Sequence, residues 1–149
     1  MASILLIDDD NDLRTMTAEI LREAGHPVND APDGKTGLAL YDAGQHDLII
    51  TDIVMPAMEG LELIAGLRHA TPRPRIIAIS GDSQFSGALY LPAAIGLGVQ
   101  LTLLKPVRPD ALLAAVAVVL AAPAPPTVPR SQQGAPVDPG AGKGESEPR

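Results

Sequence analysis

The chain has 149 residues, enough for one domain of ordinary size, and 46% of them are apolar against only 2% aromatic. A packed core must therefore come from Leu, Ile, Val and Ala. Eleven Lys and Arg against 18 Asp and Glu give a formal charge of −7. So acidic a chain makes a poor stand-alone nucleic-acid binder, because phosphate contacts need clustered Lys and Arg, and the lack of cysteine excludes disulfides, thiolate nucleophiles and Cys-ligated metals.

In chain order, short apolar runs alternate with longer helical patterns. Ser3–Ile7 reads as the first strand. A helix over 12–24 follows, its apolar stripe made of Leu13, Met16, Ile20, Leu21 and Ala24, with Arg14, Glu19, Arg22 and Glu23 mostly on the other side. Gly25 and Pro27 stop it. A second strand is read at Pro27–Asn29 and a helix at Gly34–Ala43; a third strand at Asp47–Thr51 and a helix at Leu61–His69; a fourth strand at Arg75–Ile79. A weak helix over 83–97, interrupted by Gly87, Pro92 and Gly96, leads to a fifth strand at Leu101–Leu104. Residues 109–121 form the last helix, with Pro109 in its first turn. Continuous Ile/Leu/Val runs suit strands buried on both faces of a parallel sheet, and right-handed crossovers put helices on both sides.

Residues 123–149 differ in composition. They hold seven prolines and four glycines, no Leu, Ile, Phe or Tyr, and no net charge. Too little apolar surface is available to offset chain entropy, so a disordered tail is expected there, with the folded domain over 1–122 carrying the whole −7. No signal peptide precedes Ile4, and the apolar run Ala111–Ala122 is shorter than the roughly 20 residues of a membrane span. A cytoplasmic location without membrane contact is the expectation.

Open parallel α/β sheets bind ligands at the carboxyl ends of their strands. Here those ends are Asp8-Asp9-Asp10, Thr51-Asp52, Ser80-Gly81-Asp82 and Lys105-Pro106. Clustered carboxylates repel unless a cation holds them, and an all-oxygen set suits a hard ion, Mg²⁺ above all. A serine hydroxyl and one ammonium beside it would contact phosphoryl oxygens. Blander roles exist for each. Asp10 with Asp12 fits a helix N-terminus, and Asp82 fits a solvated loop. His26, His46 and His69 lack metal-ligand spacing and are expected to be solvated or capping. Met16 and Met58 are expected to pack, and Met55 belongs to the loop after Asp52.

Four motifs, in order, resemble the response-regulator receiver domains of bacterial two-component signalling. They are Ile4-Leu-Leu-Ile-Asp-Asp-Asp10, Leu48-Ile-Ile-Thr-Asp-Ile-Val-Met-Pro56 through Gly60, Ile76-Ile-Ala-Ile-Ser-Gly81 and Leu104-Lys-Pro106. The resemblance implies a doubly wound, flavodoxin-like (βα)5 α/β fold whose parallel sheet runs 2-1-3-4-5. It implies Asp52 as phosphoacceptor from a phosphohistidine of a sensor histidine kinase or histidine phosphotransfer protein. It further implies Mg²⁺ held by Asp9, Asp52, Asp8 and the Val54 carbonyl, Ser80 and Lys105 on the phosphoryl group, a cis Lys105-Pro106 bond, and a loop shaped by Met55-Pro56 and Gly60. At Asp82 the family tunes phosphoryl lifetime.

The sequence departs from the family where an aromatic switch residue usually lies three positions before the lysine; Thr102 stands there, and Phe85 and Tyr90 are the nearest aromatics. The last helix lacks a polar face, so part of it is expected to be covered by a partner or a second copy. Residues 123–149 are too short and too polar for an output domain, so a stand-alone receiver acting on a downstream protein is expected, not an enzyme beyond its own phosphorylation and dephosphorylation. Two other readings compete. One is a haloacid-dehalogenase-like Mg²⁺ phosphohydrolase with Asp8 as nucleophile, which leaves Asp52 unexplained. The other is an interaction module that is never phosphorylated.

Overall fold

A computed structural model describes residues 2–41, 45–53, 59–67, 70, 73–80, 95, 98–123 and 125. Five strands form one parallel sheet: β1 (Ile4–Ile7), β2 (Val28–Ala31), β3 (Leu48–Asp52), β4 (Arg75–Ser80) and β5 (Leu101–Leu104), in the order β2-β1-β3-β4-β5. Helices α1 (Asn11–Glu23), α2 (Gly34–Leu40), α3 (Glu59–Leu67) and α4 (Pro109–Ala121) pack around it.

Strand side chains alternate between two cores. Ile4, Leu6, Leu48, Ile50, Ile77 and Ile79 face α1 and α4, where they meet Ala18, Leu21, Leu112 and Val116. Leu5, Ile7, Ile49, Ile76 and Ala78 face the opposite way and meet Leu63, Ile64 and Leu67 of α3. Both faces are covered, which is why β1, β3 and β4 read as unbroken apolar runs rather than as alternating ones.

Several boundaries and environments differ from the sequence reading. β2 runs to Ala31, two residues beyond Asn29, because Asp30 and Ala31 pair with Leu6 and Ile7. α2 ends at Leu40 rather than Ala43, since Tyr41 is extended and its ring stacks on His46 with centroids 6.0 Å apart. Met16 is 55% exposed, and the buried contacts of α1 come from Ala18 and Leu21. His46 is buried, not solvated; its Nε2 lies 2.9 Å from Asn29 Oδ1. Gly60, expected in the loop after Asp52, is the second residue of α3. Other expectations are met directly. Gly25 ends α1 at a φ of 99°, Pro109 sits in the first turn of α4, and the Lys105-Pro106 bond is cis. The helix expected over 83–97, apart from helical Ile95, lies outside the described residues, as do Val54, Met55, Pro56, Met58, His69, Asp82, Phe85, Tyr90 and the segment beyond Pro125.

Candidate phosphoryl and metal site at the sheet's carboxyl edge

Parallel pairing places every strand end on one edge. Ile7 is level with Thr51, Asp52 with Ile79, and Ser80 with Leu104. Asp8, Asp52, Ser80 and Lys105 therefore converge, although Lys105 lies 97 positions beyond Asp8 in the chain.

Asp52 is 4% exposed, and the Lys105 ammonium donates to its Oδ2 at 2.7 Å. The same ammonium lies 3.3 Å from Asp8 Oδ2. Asp8 is likewise buried, and its Oδ1 accepts from the Asp10 amide at 2.9 Å. Asp9 is exposed, and carboxylate oxygens of Asp8, Asp9 and Asp52 all lie within 4.8 Å of one another. Ser80 Oγ is fully buried and has no hydrogen-bond partner among the described residues. Thr102 is half-buried on β5, beside Ala78. Asp10 does cap α1, its Oδ1 accepting from the Leu13 amide at 3.0 Å.

The electrostatics follow from this crowding. Burial raises the Asp8 carboxyl above its usual range; the Asp10 amide and Lys105 pull it down, the Asp52 charge pushes it up, and the balance is upward. Burial alone would lower the Lys105 ammonium. Its bond to Asp52, with the charges of Asp52 and Asp8, outweighs that and holds it above the ordinary lysine value. Two buried carboxylates, Asp8 and Asp52, thus share the Lys105 ammonium, with the exposed Asp9 carboxylate beside them.

That donor set fits a hard divalent ion. All the ligand atoms are oxygens, two of the three carboxylates are buried, and their spacing is one that a single ion can span. The Ser80 hydroxyl, buried and without a partner among the described residues, fits such a group as well, because a buried hydroxyl favours a hydrogen-bond acceptor.

One contact escaped the sequence reading. Arg14, placed on the polar side of α1, turns back to the site: its Nη1 donates to the Asp8 carbonyl at 2.7 Å and its Nε to Asp30 Oδ2 at 2.9 Å. A signal was available, since a cation in the first turn of a helix opposes the helix dipole and needs an anchor elsewhere.

A parallel sheet of order 2-1-3-4-5 with buried acids, a hydroxyl and a lysine at its carboxyl edge defines a small α/β domain of flavodoxin-like fold. Residues 4–117 match the response regulator receiver domain, and the chain belongs to that family. Phosphorylation and Mg²⁺ binding are typical of the family, which serves two-component systems. Among its relatives is the DNA-binding transcriptional regulator NtrC of Azospirillum brasilense, 40% identical over 82 residues, or 55% of this chain and 17% of that protein. The transcriptional regulatory protein GlrR of Escherichia coli is 33% identical over 126 residues, or 85% of this chain and 28% of that protein. A CheY-like receiver domain protein from Methanospirillum hungatei superposes with a TM-score of 0.72 at 29% identity, covering 81% of this chain and 94% of that one. The chain thus spans well under a third of these two curated regulators. Among the described residues no helix is long and apolar enough to cross a membrane.

Proposed function

We propose that this chain is a phosphoacceptor receiver in a two-component phosphorelay, with Asp52 taking the phosphoryl group from a phosphohistidine. The observation that carries the reading is the placement of the buried Asp52 carboxylate 2.7 Å from the Lys105 ammonium, with the unpartnered Ser80 hydroxyl ending the adjacent strand. An Asp52 oxygen attacks phosphorus; the new O–P bond forms as the P–N bond breaks, and the electron pair leaves with the imidazole. Lys105 then pairs with a phosphoryl oxygen and Ser80 donates to another, which gives that hydroxyl a partner it lacks among the described residues. Asp9, Asp52 and Asp8, with the Val54 carbonyl, would hold Mg²⁺, and the ion when bound neutralises charge on the carboxylates and the phosphoryl oxygens.

The chemistry is confined to the chain's own phosphorylation and dephosphorylation. The folded receiver spans 1–122, with 123–149 a separate tail, and the domain works in the cytoplasm. A sensor histidine kinase or histidine phosphotransfer protein supplies the phosphoryl group, and altered binding to a downstream protein reads it out. Thr102 cannot act as an aromatic switch, so the signal from Ser80 leaves by another route.

The test is uptake of beryllofluoride or of phosphoryl from acetyl phosphate, with and without Mg²⁺. Wild type should bind only with Mg²⁺, and Asp52→Asn should not bind. A wild type that stays unmodified would sink the reading, and phosphomonoester turnover surviving Asp52→Asn but not Asp8→Asn would replace it with the hydrolase.

Dimerisation through α4 and its neighbours is part of the same proposal. Val118 is 60% exposed, and no charged residue lies between Ala111 and Ala122. Light scattering after size exclusion should give a dimer mass, at least with beryllofluoride; a monomer at high concentration in both states rules it out.

A further inference from the structure

The acidic turn is anchored from a strand that contributes nothing to the site. Asp8 donates its amide to the Ala31 carbonyl of β2 at 3.1 Å. Its own carbonyl accepts from Arg14 Nη1 at 2.7 Å, and the same guanidinium is fixed through Nε to Asp30, also on β2, at 2.9 Å. The Arg14 side chain is only 13% exposed. Arg22 comes within 3.6 Å of the other Asp30 oxygen and donates to the Val28 carbonyl at 2.9 Å. A guanidinium has a rigid fork of donors, so two bonds from one Arg side chain fix a carbonyl relative to a carboxylate as no flexible ammonium would.

We infer that Arg14 is a positioning residue for the metal-binding carboxylates, holding the Asp8–Asp9 turn on β2 through Asp30. The inference rests on the receiver reading above and extends it to a residue that touches neither metal nor phosphoryl group. Groups that orient metal ligands without ligating the ion commonly govern affinity by an order of magnitude.

The sign of the effect separates this role from its rivals. If Arg14 acted only through its charge, removing a cation near the site would tighten Mg²⁺ binding. If it only supported the fold, its loss would lower Tm and leave the Mg²⁺ affinity of the folded protein alone. Positioning predicts weaker binding. The experiment is calorimetric titration of the full chain with MgCl₂ at fixed pH and ionic strength, with Tm measured without Mg²⁺. Arg14→Met should weaken Mg²⁺ binding about tenfold. Arg14→Gln, which retains a polar stem but not the fork, should do likewise and serves if the methionine variant does not fold. Arg22→Met removes a cation from the same surroundings without reaching Asp8 and should leave the affinity unchanged. Unchanged or tighter binding in a folded Arg14 variant overturns the inference, as does an equal loss in Arg22→Met. A wild type that takes up no Mg²⁺ overturns the receiver reading itself, a result distinct from any difference between variants.

Discussion

Asp8 is a buried carboxylate that shares the Lys105 ammonium with Asp52. Burial, opposed by the Asp10 amide and Lys105, leaves its folded pKa above the ordinary 3.8. For an acid shifted that way, the folded state holds its proton more tightly than the unfolded chain does. Its contribution to stability is therefore present at low pH and is lost as pH rises from 3.8 through the raised value. Asn at this position has no charge to bury. Without Mg²⁺ at neutral pH, Asp8→Asn should melt above wild type, and the gap should close below the ordinary aspartate pKa. Thermal melts across pH with a chelator present check this; a variant less stable than wild type at neutral pH contradicts it. Asp8, Asp52, Ser80 and Lys105 were legible in the sequence because each directly follows or ends an apolar run, and parallel strands bring such positions to one edge. Arg14 and His46 were not. Periodicity sorts residues onto faces but does not reveal that Arg14 folds back six residues to the Asp8 carbonyl, or that His46 meets Asn29 and Tyr41.

At the scale of elements, α1 and α2 each reach the site through one small device. Asp10 ends the acidic turn and starts α1 by accepting from the Leu13 amide. Asp10→Ala should cost about 1 kcal/mol, the usual loss for an N-cap carboxylate, read by denaturant titration. α2 presses on β1 at Gly37, where an added Cβ would fall on Cδ1 of fully buried Ile7 and 2.7 Å from its Cγ1. Ile7 precedes Asp8 and is packed on all sides, so Gly37→Ala should destabilise by about 1–3 kcal/mol despite alanine's better helix propensity. Ile7→Val removes the crowding methyl, and the double variant should recover part of the loss. Two losses that simply add would place the contact elsewhere. The strands were read closely because burial on both faces leaves an unmistakable run. β2 was read too short because Val28-Asn-Asp-Ala31, at the sheet edge, sets two adjacent polar residues between its buried ends, and α2 was overextended because its apolar pattern continues through Tyr41, which leaves the helix to stack on His46.

For the whole molecule, the charge of −7 is unevenly placed. Part of it is the Asp8, Asp9 and Asp52 cluster, set on a sheet whose two cores hold it rigid. A general excess of negative charge and a built cation site both predict that added salt stabilises the fold, but they differ in which salt and how much. Diffuse repulsion is screened by ionic strength alone, so NaCl would serve as well as MgCl₂ at matched ionic strength. A site that binds Mg²⁺ only when folded adds RT ln(1 + [Mg²⁺]/Kd), about 2.7 kcal/mol at a hundredfold excess over Kd, and NaCl cannot supply it. Tm should therefore climb with log [Mg²⁺] at constant ionic strength. The climb should flatten in Asp9→Asn and Asp52→Asn, which each remove a ligand. Asp8→Asn should start higher, for the reason argued from its burial, and be overtaken by wild type as Mg²⁺ rises. That crossing is the sharper test, because a charge-reducing substitution that only relieved repulsion would stay ahead of wild type at every Mg²⁺ concentration. Curves that run parallel, or a gain that NaCl reproduces in full, would make the acidic edge a solubility feature rather than a binding site.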